Sequence, residues 1–415
     1  MLMVLFEPLT LPGGATLPNR VAKAAMEESL AGPGQLPDAR VEQLYRGWAH
    51  GGAGLLITGN VMVDRRALTS PGTILLDADS PLAPFRRWAQ AASSGGNHVW
   101  MQINHPGRQV GSDMPGVAWA PSDVAISLGR HTKRFARPTM MTEADIEATV
   151  ARFAVTARRA EEAGFHGVQI HAAHGYLLSQ FLSPLVNRRT DRWGGSPENR
   201  SRLLSSIVRA VRAQVSDGFA IGVKLNTADF QRGGFDLDDA ARVIETLGGL
   251  GVELVELSGG TVESPASMGS TTDHRRLGRE AYFLAFTGQL LESATMPLML
   301  TGGISTRETA ERVREQGVAV VGMASALALR PDLPRCWREG SDARVGMARV
   351  DWKDRSLAAA GVLAYVRYQL RRLADGKTPR PHASPRRIFL ADALAHRRRL
   401  RTYRTWLAAN PTEVH

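Results

Sequence analysis

Eight short apolar runs, each followed by a longer amphipathic stretch, constrain this chain more than any other feature. They are Val21–Ala25, Ala53–Thr58, Val99–Ile103, Gly167–Ile170, Ala220–Leu225, Val252–Leu257, Pro297–Thr301 and Val318–Gly322. Runs this short read as buried strands, and the stretches between them as helices. Eight such units in about 320 residues fit an α/β fold of the (β/α)8 TIM-barrel type. An open doubly wound sheet uses the same units, but it expects a glycine-rich turn after its first strand. Ala24-Ala25-Met26-Glu27 stands there instead.

Helix-end signals support the same reading. Thr142 with Asp145 resembles a capping box, Ser305 with Glu308 fits one, and Gly164 closes the helix begun near Thr142. Ser80-Pro81 and Ser196-Pro197 place proline at the first helical position. Residues 4–18 carry two apolar runs around Pro12-Gly13-Gly14, which predicts an N-terminal hairpin lid. Met101–Thr142 is a long third βα connection, of the kind that shapes a site.

A net charge of +11 raises the question of a nucleic-acid partner. Its distribution argues against one. Residues 341–415 hold 16 Lys/Arg and 6 Asp/Glu, whereas residues 1–340 hold 35 and 34. The chain therefore divides into a nearly neutral barrel, 1–340, and a basic helical extension, 341–415. In the extension Leu357, Val362, Leu363, Val366, Leu370, Leu373, Ile388, Leu390 and Leu394 form apolar stripes beside the arginines. Stripes predict a packed cover or a homo-oligomer interface rather than a nucleic-acid arm. No run approaches the ~18 apolar residues of a membrane span. The N-terminus lacks a basic start and a cleavage site, so a cytoplasmic location is the expectation. Cys336 is the only cysteine. It can form neither an intrachain disulfide nor a cysteine-rich metal or iron–sulfur site, and no metal is expected.

The chemistry concentrates in GVQIHAAHGYLLSQFLSPLVNRRTDRWGGSPENR, residues 167–200. If the chain leaves its strand at His171 and turns, His171, His174 and Tyr176 gather at the carboxyl end of one strand. Asn187–Arg200 then reads as a loop held by its own polar side chains, ending at the Ser196-Pro197 helix start.

This stretch resembles the signature of the old yellow enzyme family of FMN-dependent ene-reductases and NADH:flavin oxidoreductases. The resemblance implies a site. Ala24, Ala25, Met26 and Glu27 lie along the flavin, with Glu27 where relatives often carry Thr or Cys and where the residue tunes the flavin potential. Asn60 sits at the flavin edge, Gln102 bonds the pyrimidine edge, and Lys224 supplies a cation near N1. Gly302, Gly303, Ala324 and Ser325 hold the phosphate. Ala324-Ser325 replaces the family's common Gly-Arg, so Arg307 or Arg330 is a candidate substitute. Ser29 stands at a substrate-contacting position that is often Tyr. His171 and His174 bind the substrate oxygen, and Tyr176 protonates the α-carbon.

The expected function follows: an FMN enzyme that takes hydride from NADH or NADPH and reduces a small-molecule activated alkene. NADH oxidase activity or oxidative demethylation on the same barrel is the alternative. A non-catalytic barrel that binds anionic partners through its basic tail is the alternative of another class.

Overall fold

The computed structural model describes residues 5–264, 287–348 and 350–411. Val4, in the predicted hairpin segment, and the last four residues of the tail lie outside that description. All eight apolar runs form parallel strands: β1 (Val21–Lys23), β2 (Leu55–Ile57), β3 (His98–Asn104), β4 (Gly167–Ala172), β5 (Ala220–Asn226), β6 (Leu254–Ser258), β7 (Leu298–Thr301) and β8 (Val320–Met323). They pair in chain order, and both β8 and β2 pair with β1. β2 also pairs with β3, so the sheet closes on itself as a (β/α)8 barrel.

Strand alternation sorts side chains between the barrel interior and the helix layer. Ala22, Leu55, Ile57, Trp100, Ala220, Leu254, Met299 and Val320 fill the lower interior. Trp100 is the largest of these and needs two missing side chains to fit. A Cβ on Gly222 would meet its ring at 2.7 Å, and one on Gly167 at 3.0 Å. One side-chain repeat higher, Gln102, Gln169, Lys224 and Glu256 take over.

The predicted hairpin forms between Leu9–Thr10 and Thr16–Leu17, but it lies at the strand starts. Gly13 N–H donates to Glu253 (3.2 Å) and Arg20 to the Ala319 carbonyl (3.4 Å). Leu11 and Leu17 join the lower cluster. The segment is thus a floor rather than a lid over the site, because its leucines seal the apolar end.

Two helix starts match their sequence signals. Thr142 and Asp145 exchange both bonds of a capping box, and Ser196 caps the helix Pro197–Arg212. Two others shift by one residue. Thr306, not Ser305, caps Arg307–Glu315 through the Thr309 amide, which moves Glu308 out of the capping-box position. Pro81 is itself the cap residue of Leu82–Ser93, while the Ser80 hydroxyl folds back onto Asp77.

The basic tail forms two helices, Arg355–Ala374 and Pro385–Ala409, packed on each other and on the barrel. Leu370 is fully buried and Ile388 nearly so. Leu390 and Leu394 depart from the predicted stripe: they are 66% and 65% exposed. The second helix turns Leu400 and Tyr403 inward instead, and the Tyr403 hydroxyl donates to the Arg65 carbonyl (2.7 Å).

Candidate active site

The central turn leaves β4 at Ala172. Gly175 has φ +75°, and His174, a non-glycine residue, has φ +61°. A left-handed backbone at histidine is costly and persists only when its surroundings fix it. They do so here from three sides. The His174 amide donates to Asn226 Oδ1 at the end of β5 (3.0 Å), and Gln109 from the third connection donates to the His174 carbonyl (2.7 Å). Gln180 on the following short helix, Leu177–Leu182, donates to the Gly175 carbonyl (2.7 Å). The loop beyond it is held as its composition predicts. Asn187 donates to the Phe181 and Trp193 carbonyls, and Arg200 to Leu182 and Gly195.

The turn brings three rings together. The His171 and His174 centroids are 5.1 Å apart at 81°, and those of His171 and Tyr176 4.9 Å apart at 80°. Burial, followed by the charges of the neighbouring His174 and Lys224, drives His171 well below the ordinary histidine range. Burial and Lys224 bring His174 down to about 3. Both imidazoles are therefore neutral at pH 7 and carry one N–H each. His171 Nδ1 accepts from the Ala173 amide (3.2 Å), which places its proton on Nε2. His174 Nε2 meets the Ser258 hydroxyl at 2.7 Å. Burial, with the nearby Glu27 carboxylate, pushes the Tyr176 phenol up, while Arg367 opposes them. The phenol keeps its proton throughout the physiological range.

Beneath the rings runs one chain of side chains. Gln102 donates to Gln169 (2.7 Å), Gln169 to Glu256 (2.8 Å), and Lys224 to the other Glu256 oxygen (2.8 Å). Lys224 lies beside His171 in the β4–β5 register. It is an inward cation fixed by a carboxylate, not a side chain reaching for solvent.

The other predicted residues line the strand ends. Glu27 accepts from the hydroxyls of Ser70 (2.8 Å) and Ser29 (3.3 Å), and Ser29 has φ +51°. Asn60 is buried after β2 with its Oδ1 unpartnered. Thr301 and Gly322 are register partners on β7 and β8, so Gly302, Gly303, Ala324 and Ser325 occupy adjacent turns. Arg307 and Arg330, the candidate phosphate arginines, each have acidic partners of their own. Arg307 pairs with Glu311 on its own helix, and Arg330 with Asp332 and Cys336.

Five positions were missing from the sequence reading: Gln169, Glu256, Asn226, Ser258 and Gln109. Four carried a signal. Gln169 lies two residues before His171, Asn226 two after Lys224, and Glu256 and Ser258 alternate through an apolar strand. Gln109 carried none, since it reaches the turn from a loop.

Buried polar atoms without partners test whether a cofactor fits. Asn60 Oδ1, both amide atoms of Asn104 and Thr301 Oγ1 are such orphans among the described residues. Each costs about 1–3 kcal/mol if left unmade. All lie at or just beyond strand carboxyl ends, beside small-residue turns on β7 and β8, the usual phosphate position in barrels. The residues present fit a flat polar cofactor with a phosphate. Among the described residues no group of His, Cys, Asp and Glu could hold a metal.

Fold and site together define a barrel oxidoreductase built around a phosphate-bearing redox cofactor. The chain belongs to the NADH:flavin oxidoreductase / NADH oxidase family, whose sequence profile matches residues 4–343. It is 37% identical over 354 residues to an NADH-dependent flavin oxidoreductase of Hypocrea jecorina, covering 79% of this chain and 87% of the relative. Among solved structures it resembles an old yellow enzyme homologue from Zymomonas mobilis, with a TM-score of 0.69 and 27% identity over 83% of this chain and 94% of the other. Morphinone reductase in complex with tetrahydroNAD gives 0.68 and 25%, over 83% and 92%. The protein is an NAD(P)H-dependent FMN oxidoreductase of old yellow enzyme type. The non-catalytic alternative is thereby set aside. Among the described residues no helix is long and apolar enough to cross a membrane.

Proposed function

We propose that this enzyme reduces an activated alkene, an enone or nitroalkene, with hydride drawn from NAD(P)H. The observation that carries the reading is the pair of neutral histidines and the protonated phenol on one braced turn. Bound FMN supplies the hydride chemistry, oxidising the nicotinamide and reducing the alkene. His171 and His174 hold the substrate's carbonyl or nitro oxygen and stabilise the negative charge that develops there, in the manner of an oxyanion hole. Tyr176 gives its proton to the α-carbon as general acid. Ala24 to Glu27, Asn60 and Gln102 line the flavin. Lys224, fixed by Glu256, places a positive charge beside it, where negative charge grows on reduction. Gly302, Gly303, Ala324 and Ser325 hold the phosphate through backbone N–H groups rather than an arginine.

Anaerobic stopped-flow tests the reading. NADH or NADPH should bleach the flavin band, and an enone or nitroalkene should restore it. If oxygen alone restores the band across a panel of alkenes, the enzyme is an NADH oxidase and the alkene assignment is wrong.

A further inference from the structure

The tail rims the mouth of the barrel. Its second helix meets the connections after β1, β2 and β3. A Cβ on Gly34 would lie 3.7 Å from Trp406, Tyr403 holds the Arg65 carbonyl, and His396 meets Asp113 at 3.2 Å. Between these contacts the Arg399 stem crosses Gly72. A Cβ there would meet Arg399 Cδ and the Ser29 carbonyl, each at 3.1 Å. Ser29 reaches Glu27 through its hydroxyl. The Arg399 stem therefore packs beside the Glu27–Ser29 turn, whose Glu27 charge is felt at Tyr176.

The charges around Arg399 do not balance. Asp392 is shared between Arg367 (3.1 Å) and Arg371 (2.6 Å), and Arg40 pairs with Asp375. Arg399 makes no hydrogen bond or ion pair among the described residues. Burial and the surrounding Arg371, Arg367 and Arg40 outweigh the opposing charge of Asp392 and lower it to about 10. Arg367 Nε is itself buried without a partner. A crowded, partly dehydrated guanidinium is a strong site for a carboxylate, which it can bind with two parallel bonds. Glu27 lies beside Ser29, already engaged by two hydroxyls. Its charge turns an anionic group away from the flavin turn and toward the tail.

We propose that Arg399, supported by Arg367, binds the carboxylate of an acidic activated alkene at the mouth of the site. This rests on the alkene-reductase reading and names its substrate class. The acid end lies under the tail helix, and the alkene points down to His171, His174 and Tyr176.

The test uses β-acetylacrylate and its methyl ester, which share one enone and differ by one charge. Calorimetry with the FMN-loaded enzyme gives Kd for both, and steady-state assays give kcat/KM. Arg399→Met should cut the acid-to-ester preference in both quantities by about ten- to a hundredfold, the weight of one charged hydrogen-bonded contact. Arg399→Lys should restore part of it. Arg399 pairs with no protein group among the described residues, so its loss should leave the fold intact; an unchanged melting curve checks this. An acid-to-ester ratio unaltered by Arg399→Met overturns the proposal. A loss confined to NADPH relative to NADH also overturns it and gives the cluster to the extra phosphate of the nucleotide. If neither compound is turned over by the wild type, the alkene-reductase reading fails while the Kd ratio still judges Arg399.

Discussion

The lower and upper halves of the barrel interior come from the same eight strands and behave as different materials. On β3, Trp100 faces the lower half and Gln102, two residues on, the upper. On β6 the step runs from Leu254 to Glu256, and on β5 from Gly222 to Lys224. One side-chain repeat, about 6.6 Å along a strand, separates dry close packing from a hydrogen-bonded polar layer. The floor stabilises the closed sheet, and the upper layer gives up packing to present donors. Substitutions should therefore divide: those above should change rates and leave the melting curve alone, and those below should do the reverse.

Tyr176→Phe gives the largest effect in the upper half. Alkene reduction should fall by about 10²–10⁴-fold, the range for a lost general acid. Flavin reduction by NADH and binding of a phenolic inhibitor should persist. Equal loss in both half-reactions would make the phenol structural. Next comes Trp100→Ala in the floor, which should cost about 3–5 kcal/mol of stability in urea titration. Flavin-reduction rates of the folded fraction should change little; a rate collapse with the stability intact would break the division.

His174→Ala follows. It removes one donor and should slow reoxidation by an enone by about 10²-fold. Phenolic inhibitor binding should weaken with it, without a matching drop in the urea midpoint. Lys224→Met should lower flavin affinity or its potential, while Glu256 keeps its bond from Gln169. A variant that holds FMN at an unchanged potential would remove Lys224 from the flavin site.

The smallest effect sharpens the comparison through pH. His174 in the folded protein is depressed to about 3, below its ordinary value near 6.5 in the unfolded chain. The unfolded state therefore binds more protons between those values. The stability linked to this group is fully present above about pH 6.5 and is lost as pH falls toward 3. His174→Gln should show a shallower fall over that window in acid titrations followed by circular dichroism; parallel curves would mean that the imidazole is not held neutral.

Most of the frame was legible in the sequence because burial on both faces leaves a plain mark, a short apolar run. All eight strands follow from it. The His171–Tyr176 turn was legible because three polar residues interrupt such a run at its end. Two helix starts shifted by one residue, since Thr306 can cap as well as Ser305 and only the path of the preceding chain selects between them. The hairpin was correctly seen, but its end of the barrel was not. A run of leucines shows that a segment seals something apolar, and only the closed sheet shows which end is apolar.

The sequence by itself determined which residues could do chemistry: His171, His174 and Tyr176, the lysine at 224, and the small residues of the β7 and β8 turns. The first three depend on local pattern and residue type, and the others on the family resemblance as well. The tertiary structure alone decided what those groups face. Glu256 meets Lys224 because β5 and β6 pair in one register, and Gln109 holds the His174 carbonyl from a loop far away in sequence. The Arg399 stem packs on Gly72 across hundreds of residues because the tail folds back over the mouth. Partnership between distant segments depends on closure and packing, and no local pattern encodes it.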